Sequence, residues 1–332
     1  VLNLVTFVVT QLAMGITVLI ARYLGEKKEE QIGSIIGGGT VVFAAISLVL
    51  FVIMVGFARP IAVLMQAPEE AVGLTAAYIR ICGAGIFFIV AYNVLSAIFR
   101  GLGDSNSPLL FVFVACIVNV VGDLVLVAGL GMDAMGAALA TVFAQALSVV
   151  FAIVRLVKKG LPFTITGYDF RWNPQCGKFL QIGLPLALQE CLTQGSFLAL
   201  CAFVNRLGLE ASSGYGVACK IVNFAMLIPG ALMQSTSSFV SQNVGAGEQK
   251  RAKKAMFTGI GIGLLVGCFA FSLVFFRGDL LAGIFSADAA VVQRGYEYLK
   301  GFAPETLLTA VLFSMMGYFN GNGKTVWVML QG

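Results

Sequence analysis

Apolar runs of 18 or more residues recur along this whole chain, from residues 1–22 to residues 293–318. A helix rises ~1.5 Å per residue, so about 20 such residues cross the ~30 Å hydrocarbon layer of a bilayer. No alternation of period two marks the runs as barrel strands. A backbone in hydrocarbon must satisfy its own hydrogen bonds, which leaves helices as the spanning elements. The fold class that follows is all-α integral membrane. Composition agrees, with 59% hydrophobic and 11% charged residues among 332, against roughly 25% charged in soluble domains.

The pattern predicts spans at 1–22, 33–57, 75–99, 108–128, 135–157, 179–204, 213–241, 253–276 and 293–318, with a tenth beginning near 324. Residues 159–177, KGLPFTITGYDFRWNPQCG, form the long polar connector. It divides an N-terminal lobe, 1–158, from a C-terminal lobe, 178–332.

Alternating spans put the loops on two sides. One side, with its helix ends, holds Arg22, Lys27, Lys28, Arg100, Arg155, Lys158, Lys159, Arg171, Lys178, Lys250, Arg251, Lys253, Lys254 and Lys324. The other holds Arg59, Arg80, Arg206, Arg277, Arg294 and Lys300. Fourteen against six places the loops near 23–32, 100–107, 158–178, 242–252 and 319–325 in the cytoplasm, because cytoplasmic loops retain Lys and Arg. The net charge of +5 is therefore a topology signal. No basic stripe beyond these loops is available for nucleic acid.

An internal repeat runs at one offset. FRGLGDSNSP (99–108) returns as FNGNGKT (319–325), so Phe99, Gly101 and Gly103 match Phe319, Gly321 and Gly323, each 220 positions on. The same offset pairs Asn3 with Asn223, Gly25 with Gly245, Gly39 with Gly259 and Tyr78 with Tyr298. Six helices separate the copies, so the copies point the same way. Parallel repeats place a binding site between halves near the bilayer midplane. The expected natural unit is six plus six helices, with one preceding residue 1 and about two following residue 332.

GNGKT ends like a phosphate-binding loop, but position 318, where that motif needs its first glycine, is Tyr, and no strand precedes it. Both stretches fit helix ends, with glycine at positive φ and Asp or Ser capping the next helix.

The chemistry then falls to polar groups within spans. Asp123, in CIVNVVGDLVLVAGL, is the sharpest case. A carboxylate at membrane depth costs roughly 2.5–3.5 kcal/mol on insertion scales, so it faces protein or water. Asn119 lies one helical turn earlier on the same face, and Thr141 stands at similar depth on the next span. Carboxylate, amide and hydroxyl oxygens suit a hard cation; burial would equally let the carboxyl carry a proton. A hydrogen-bonded cluster tying two helices together is the purely structural alternative. Asn93 approaches from the preceding span. Gln189 and Glu190 lie mid-span, Glu305 follows Pro304, and Lys220 is a potential neutraliser of Glu190. Pro185, Pro229 and Pro304 inside spans are expected to bend them. Asp104 and Asp288 read as caps.

Histidine is absent and the seven cysteines show no C-x-x-C spacing. Ser-His-Asp triads, H-E-x-x-H metalloproteases and imidazole metal sites are thereby excluded. An intramembrane aspartyl enzyme would need a second Asp facing Asp123. The residues thus argue against a membrane-embedded enzyme, and no organic cofactor is expected.

ARYLGEKKEE, FRGLGDSNSP, NVVGDLVLVAGLGMDAMGAALAT, IGLPLALQ and SQNVGAGE, in this order, resemble the multidrug and toxic compound extrusion (MATE) family. The resemblance implies two six-helix lobes around a V-shaped cleft, in a plasma or inner membrane. It implies a monomer that exports organic cations and amphipathic compounds in exchange for H⁺ or Na⁺ by alternating access. The family's first-lobe coupling site includes an Asn-x-x-x-Asp pair, which matches Asn119 and Asp123, a Thr matching Thr141, and amides near Asn93. An Asp on the family's first helix, which this chain lacks, completes that site. Some branches use an acidic group on the seventh helix; Gln189 stands closest to it, with Glu190 one residue away. Gln189, Glu190 and Glu305 are the candidates for the substrate cleft. The alternative is a related flippase or exporter of lipid-linked oligosaccharide, which would call for more intramembrane Arg and Lys than this chain has.

Overall fold

The computed structural model describes residues 2–65, 69–158 and 166–332. Among them there are twelve α-helices and no strand: α1 Leu2–Gly25, α2 Glu30–Gly56, α3 Ala58–Leu64, α4 Val72–Ala84, α5 Ile86–Gly101, α6 Asn106–Asp123, α7 Asp133–Lys158, α8 Pro174–Asn205, α9 Leu209–Gly245, α10 Gln249–Gly283, α11 Ala289–Gly321 and α12 Thr325–Gln331. Among the described residues eight spans are long and apolar enough to cross a membrane, one of them α6 continued to Gly129, and a bent pair of helices passes the same test when taken as one span. The chain is a multi-pass membrane protein.

The expected span at 75–99 is that bent pair. The stretch Glu69–Ala84 and helix α5 meet at 52° about Gly85, where a Cβ would collide with the Val142 side chain of α7. α6 runs without interruption into a π-helical turn, Leu124–Gly129. α8, α9 and α11 carry Pro185, Pro229 and Pro304 inside continuous helices. The non-helical residue of α10 is Arg277, at φ −133° and ψ 25°, a kink with no proline to announce it.

The turns give the repeat a physical form. At the end of α5 the Asp104 N–H bonds to the Phe99 carbonyl at 2.9 Å, and after α11 the Lys324 N–H bonds to Phe319 at 2.9 Å. Gly103 and Gly323 sit at φ 77° and 76°. After α1, Lys28 bonds back to Tyr23 at 2.9 Å, and after α9 Glu248 bonds back to Asn243 at 2.8 Å. The residues at positive φ there are Lys27 (57°) and Gly247 (78°). All four are Schellman closures that satisfy the last carbonyls of a helix, in two pairs 220 positions apart. Asp104 then accepts from the Ser107 N–H at 3.0 Å, and Asp288 from Ala290 at 2.9 Å, as caps of α6 and α11.

Two compact units result, Val1–Ala187 and Leu188–Gly332, with the division two residues beyond Pro185 in α8. In the first, α1 is the central helix, with Ala13, Ile16 and Ile20 fully buried. Thr17 donates to the Ala97 carbonyl of α5 at 2.9 Å. Gly15 and Gly183 allow α1 and the start of α8 to touch backbone to backbone: a Cβ on Gly15 would strike the Phe179 carbonyl, and one on Gly183 the Leu12 carbonyl. Small residues serve this purpose between membrane helices. In the second unit α9, α10 and α11 pack together around Ala218, Ala282, Leu299 and Ala303.

Gly15→Leu should cost at least about 1–3 kcal/mol through overpacking, seen as a lower unfolding temperature in detergent. Lys27→Gly should have the opposite sign, since a left-handed non-glycine residue carries roughly 1–2 kcal/mol of strain; a rise in the same midpoint checks it.

Candidate functional site

The first unit gathers the polar residues of α4, α6 and α7 at one point. α6 and α7 approach closely because Gly122 faces Ala140; a Cβ on Gly122 would lie 2.9 Å from the Ala140 Cβ. That approach brings Asn119 Nδ2 to 3.4 Å from Thr141 Oγ1, while Thr141 donates to the Ala137 carbonyl at 2.9 Å. Asp123 stands one turn beyond Asn119, at the last α-helical position before the π turn. Its Oδ1 is buried and accepts no hydrogen bond from the described residues.

Tyr78 of α4 completes the group. It neighbours Thr141 and Cys82 and lies within electrostatic reach of Asp123. Sequence reasoning used Tyr78 only as a marker of the repeat, where its match with Tyr298 was the available signal. Gln145, one turn beyond Thr141 on α7, also drew no notice in the sequence; its Oε1 is a buried acceptor without a donor among the described residues. A π turn beside a lone carboxylate has no sequence signature, although such turns concentrate at functional positions.

Asn93 is engaged elsewhere. Its Oδ1 accepts from the Thr10 hydroxyl of α1 at 2.7 Å, and its Nδ2 donates to the Ile89 carbonyl at 2.8 Å. It joins α5 to α1 rather than reaching Asn119. In the second unit, Glu190 Oε1 accepts from Gln194 Nε2 at 2.8 Å, one turn along α8. The Gln189 amide lies beside Gly332. Glu305 is exposed on α11, in the electrostatic neighbourhood of Tyr298. Lys220 stands over the Phe285 ring, 5.4 Å from its centroid. An apolar cavity in this unit is lined by Met226, Pro229, Leu232, Gly267, Thr306 and Thr309, among others.

Among the described residues no cluster of three or more His, Cys, Asp and Glu side chains exists. The first-unit group instead presents one carboxylate, an amide side chain, a hydroxyl and a phenol. Such a set can coordinate a monovalent hard cation through oxygen, or hold a single proton on Asp123; thiolate and imidazole metal chemistry is foreign to it. The geometry depends on the α6–α7 approach. Gly122→Val should therefore lower thermal stability by about 1–3 kcal/mol, with Gly122→Ala milder, in detergent unfolding scans.

Comparison with known proteins places the family and the fold. The sequence model of the MatE family matches residues 1–125 and 185–331. The probable multidrug resistance protein YpnP of Bacillus subtilis (strain 168) is 26% identical over 268 residues, 80% of this chain and 60% of that protein. The multidrug export protein MepA of Staphylococcus aureus (strain NCTC 8325 / PS 47) is 26% identical over 330 residues, 96% of this chain and 72% of that protein. The chain thus spans less than two thirds of YpnP. An outward-facing multidrug resistance MATE family transporter of the MOP superfamily superposes with a TM-score of 0.92 at 22% identity, over 99% of this chain and 74% of that one. That likeness establishes the fold. The family match covers both units, and the chain belongs to the MatE family, the multidrug and toxic compound extrusion family that its motifs resemble.

Proposed function

We propose that this chain is the core of an ion-coupled multidrug exporter, which expels organic cations and amphipathic compounds in exchange for Na⁺ or H⁺ by alternating access. The observation that carries the reading is the buried, protein-unpartnered Oδ1 of Asp123, set among Asn119, Thr141 and Tyr78. An acceptor left bare at membrane depth is expensive, and a cation or proton arriving there removes the cost. Membership of the MatE family and similarity to proteins named for multidrug export and resistance support the transport class.

In this mechanism Asp123 takes the coupling ion. Asn119 and Thr141 orient their oxygens toward it, and Tyr78 links the site to α4. Na⁺, when bound, would be held by these oxygens; a proton would reside on Asp123 itself. Coupling requires that the ion bind the two conformations unequally, since equal affinity shifts no equilibrium. The helix break at Gly85, seated on Val142 next to Thr141, gives the ion site a joint through which local packing moves a larger element. Asn93 supports α5 on α1. Gln189, Glu190 and Glu305 are the polar groups assigned to cationic substrate in the second unit, with the apolar cavity beside Pro229 suited to lipophilic parts. The protein acts as a monomer in lipid, with small molecules as partners, and performs no covalent chemistry.

Efflux of a fluorescent cation from proteoliposomes, under separately imposed Na⁺ and pH gradients, tests the reading. Asp123→Asn should reduce gradient-driven efflux to the passive leak while the amount of inserted protein stays unchanged. Tyr78→Phe and Thr141→Ala should each raise the ion concentration for half-maximal efflux by about tenfold, the equivalent of ~1.4 kcal/mol. Undiminished efflux by Asp123→Asn overturns the assignment.

A further inference from the structure

The inter-lobe connector carries the sequence YDFRW at 168–172, in which three aromatic residues alternate with polar ones. The aromatic residues are bare: Tyr168 is 81% exposed, Phe170 49% and Trp172 67%. Among the polar residues here Asp169 and Asn173 are fastened to α2, and Arg171 is exposed. Asp169 Oδ1 accepts from the Ser34 hydroxyl of α2 at 2.8 Å. Its Oδ2 accepts from the Thr166 N–H at 2.8 Å and the Thr166 hydroxyl at 2.9 Å. These bonds, led by the Thr166 backbone, hold the Asp169 carboxyl below the usual carboxylate range. Asn173 Nδ2 donates to the Ser34 carbonyl at 2.9 Å. The 3₁₀ turn Gly167–Asp169 and the residues after it thus hold Asp169 and Asn173 against α2, while Tyr168, Phe170 and Trp172 stay exposed.

Where the connector crosses α2 sets its depth. The Asp169 backbone lies directly against Gly37, and the Asn173 and Cys176 side chains lie against Gly38; a Cβ at either glycine would collide with them. Gly37 is seven residues beyond Glu30, the first residue of α2 and the only charged one in that helix. Seven residues at ~1.5 Å each is about 10 Å. The strap therefore lies alongside the apolar part of a membrane-spanning helix, on the side that carries the basic loops, with its aromatic rings outward. Tyr and Trp rings favour the headgroup level, where one end is apolar and the other wet.

We propose that residues 168–172 are an interfacial membrane anchor, in which Tyr168, Phe170 and Trp172 insert into the boundary between headgroups and acyl chains of that leaflet. The anchor joins the start of α8 to the bilayer surface through a strap locked onto α2. It depends on the membrane embedding of the chain and not on the transport reading.

Trp172 is one of two tryptophans, so Trp327→Phe leaves it as the sole indole; Trp327→Tyr serves the same purpose should the first variant insert poorly. The protein is reconstituted in phosphatidylcholine vesicles containing lipid brominated either near the headgroup end of the acyl chain or near its tip. A parallel set carries iodide on both sides of the membrane. An indole seated roughly 5–10 Å into the boundary should lose about half its emission to the shallow bromines, less to the deep ones, and little to iodide. Free quenching by iodide with no effect of bromolipid places the strap in water and overturns the proposal. Stronger quenching from the chain tips, or shielding from every quencher, overturns it too, the first by placing the ring in the hydrocarbon core and the second by burying it in protein.

Discussion

A peptide group in hydrocarbon must find its hydrogen-bond partner within its own segment, and the rest of this structure follows from that requirement. It makes every apolar run a helix and pushes the ends of helices toward water, where loops can complete them. The four Schellman closures are the local solution at those ends, and they recur in pairs because the chain repeats. At one of them Lys27 accepts a left-handed conformation that its partner position, Gly247, adopts without strain. The same closure is used in both copies because the carbonyls at the end of a helix have the same need in each.

The exceptions to unbroken α-helix are therefore informative. In the first unit, two of them flank the candidate site. The π turn begins immediately after Asp123, and the break at Gly85 rests on Val142, the neighbour of Thr141. Helix irregularity leaves backbone groups that a uniform helix would use, and it is tolerated where protein or polar side chains surround it. Here it coincides with a carboxylate oxygen that protein leaves bare and with a second unpaired acceptor on Gln145. Close helix approach supplies the complement: glycine at 122 and alanine at 140 bring Asn119 within reach of Thr141.

Much of this was legible in the residues. The spans, the repeat, the capping roles of Asp104 and Asp288, and the common depth of Asn119, Asp123 and Thr141 all follow from hydropathy, turn chemistry and helical spacing. Tyr78 and Gln145 were not legible as site residues, because a tyrosine or glutamine in an apolar run gives no sign of which face it occupies once helices pack. Asn93 shows the converse case. Its depth allowed an approach to Asn119, but the face it presents leads to Thr10 of α1 instead. The kink at Arg277 had no proline behind it, and the prolines at 185, 229 and 304 sit in helices that continue through them.

What the sequence by itself determined, apart from the family that its motifs resemble, is the solvent and the order of the spans. These are sums of transfer free energies and local backbone preferences, which need no knowledge of neighbours. Tertiary structure alone decided which polar groups share a point in space, where a span breaks, and that Asp169, Asn173 and Cys176 lie against α2 at Gly37 and Gly38. Those outcomes depend on the rotation of each helix about its axis and on contacts a few tenths of an ångström deep, and a hydropathy profile is blind to both.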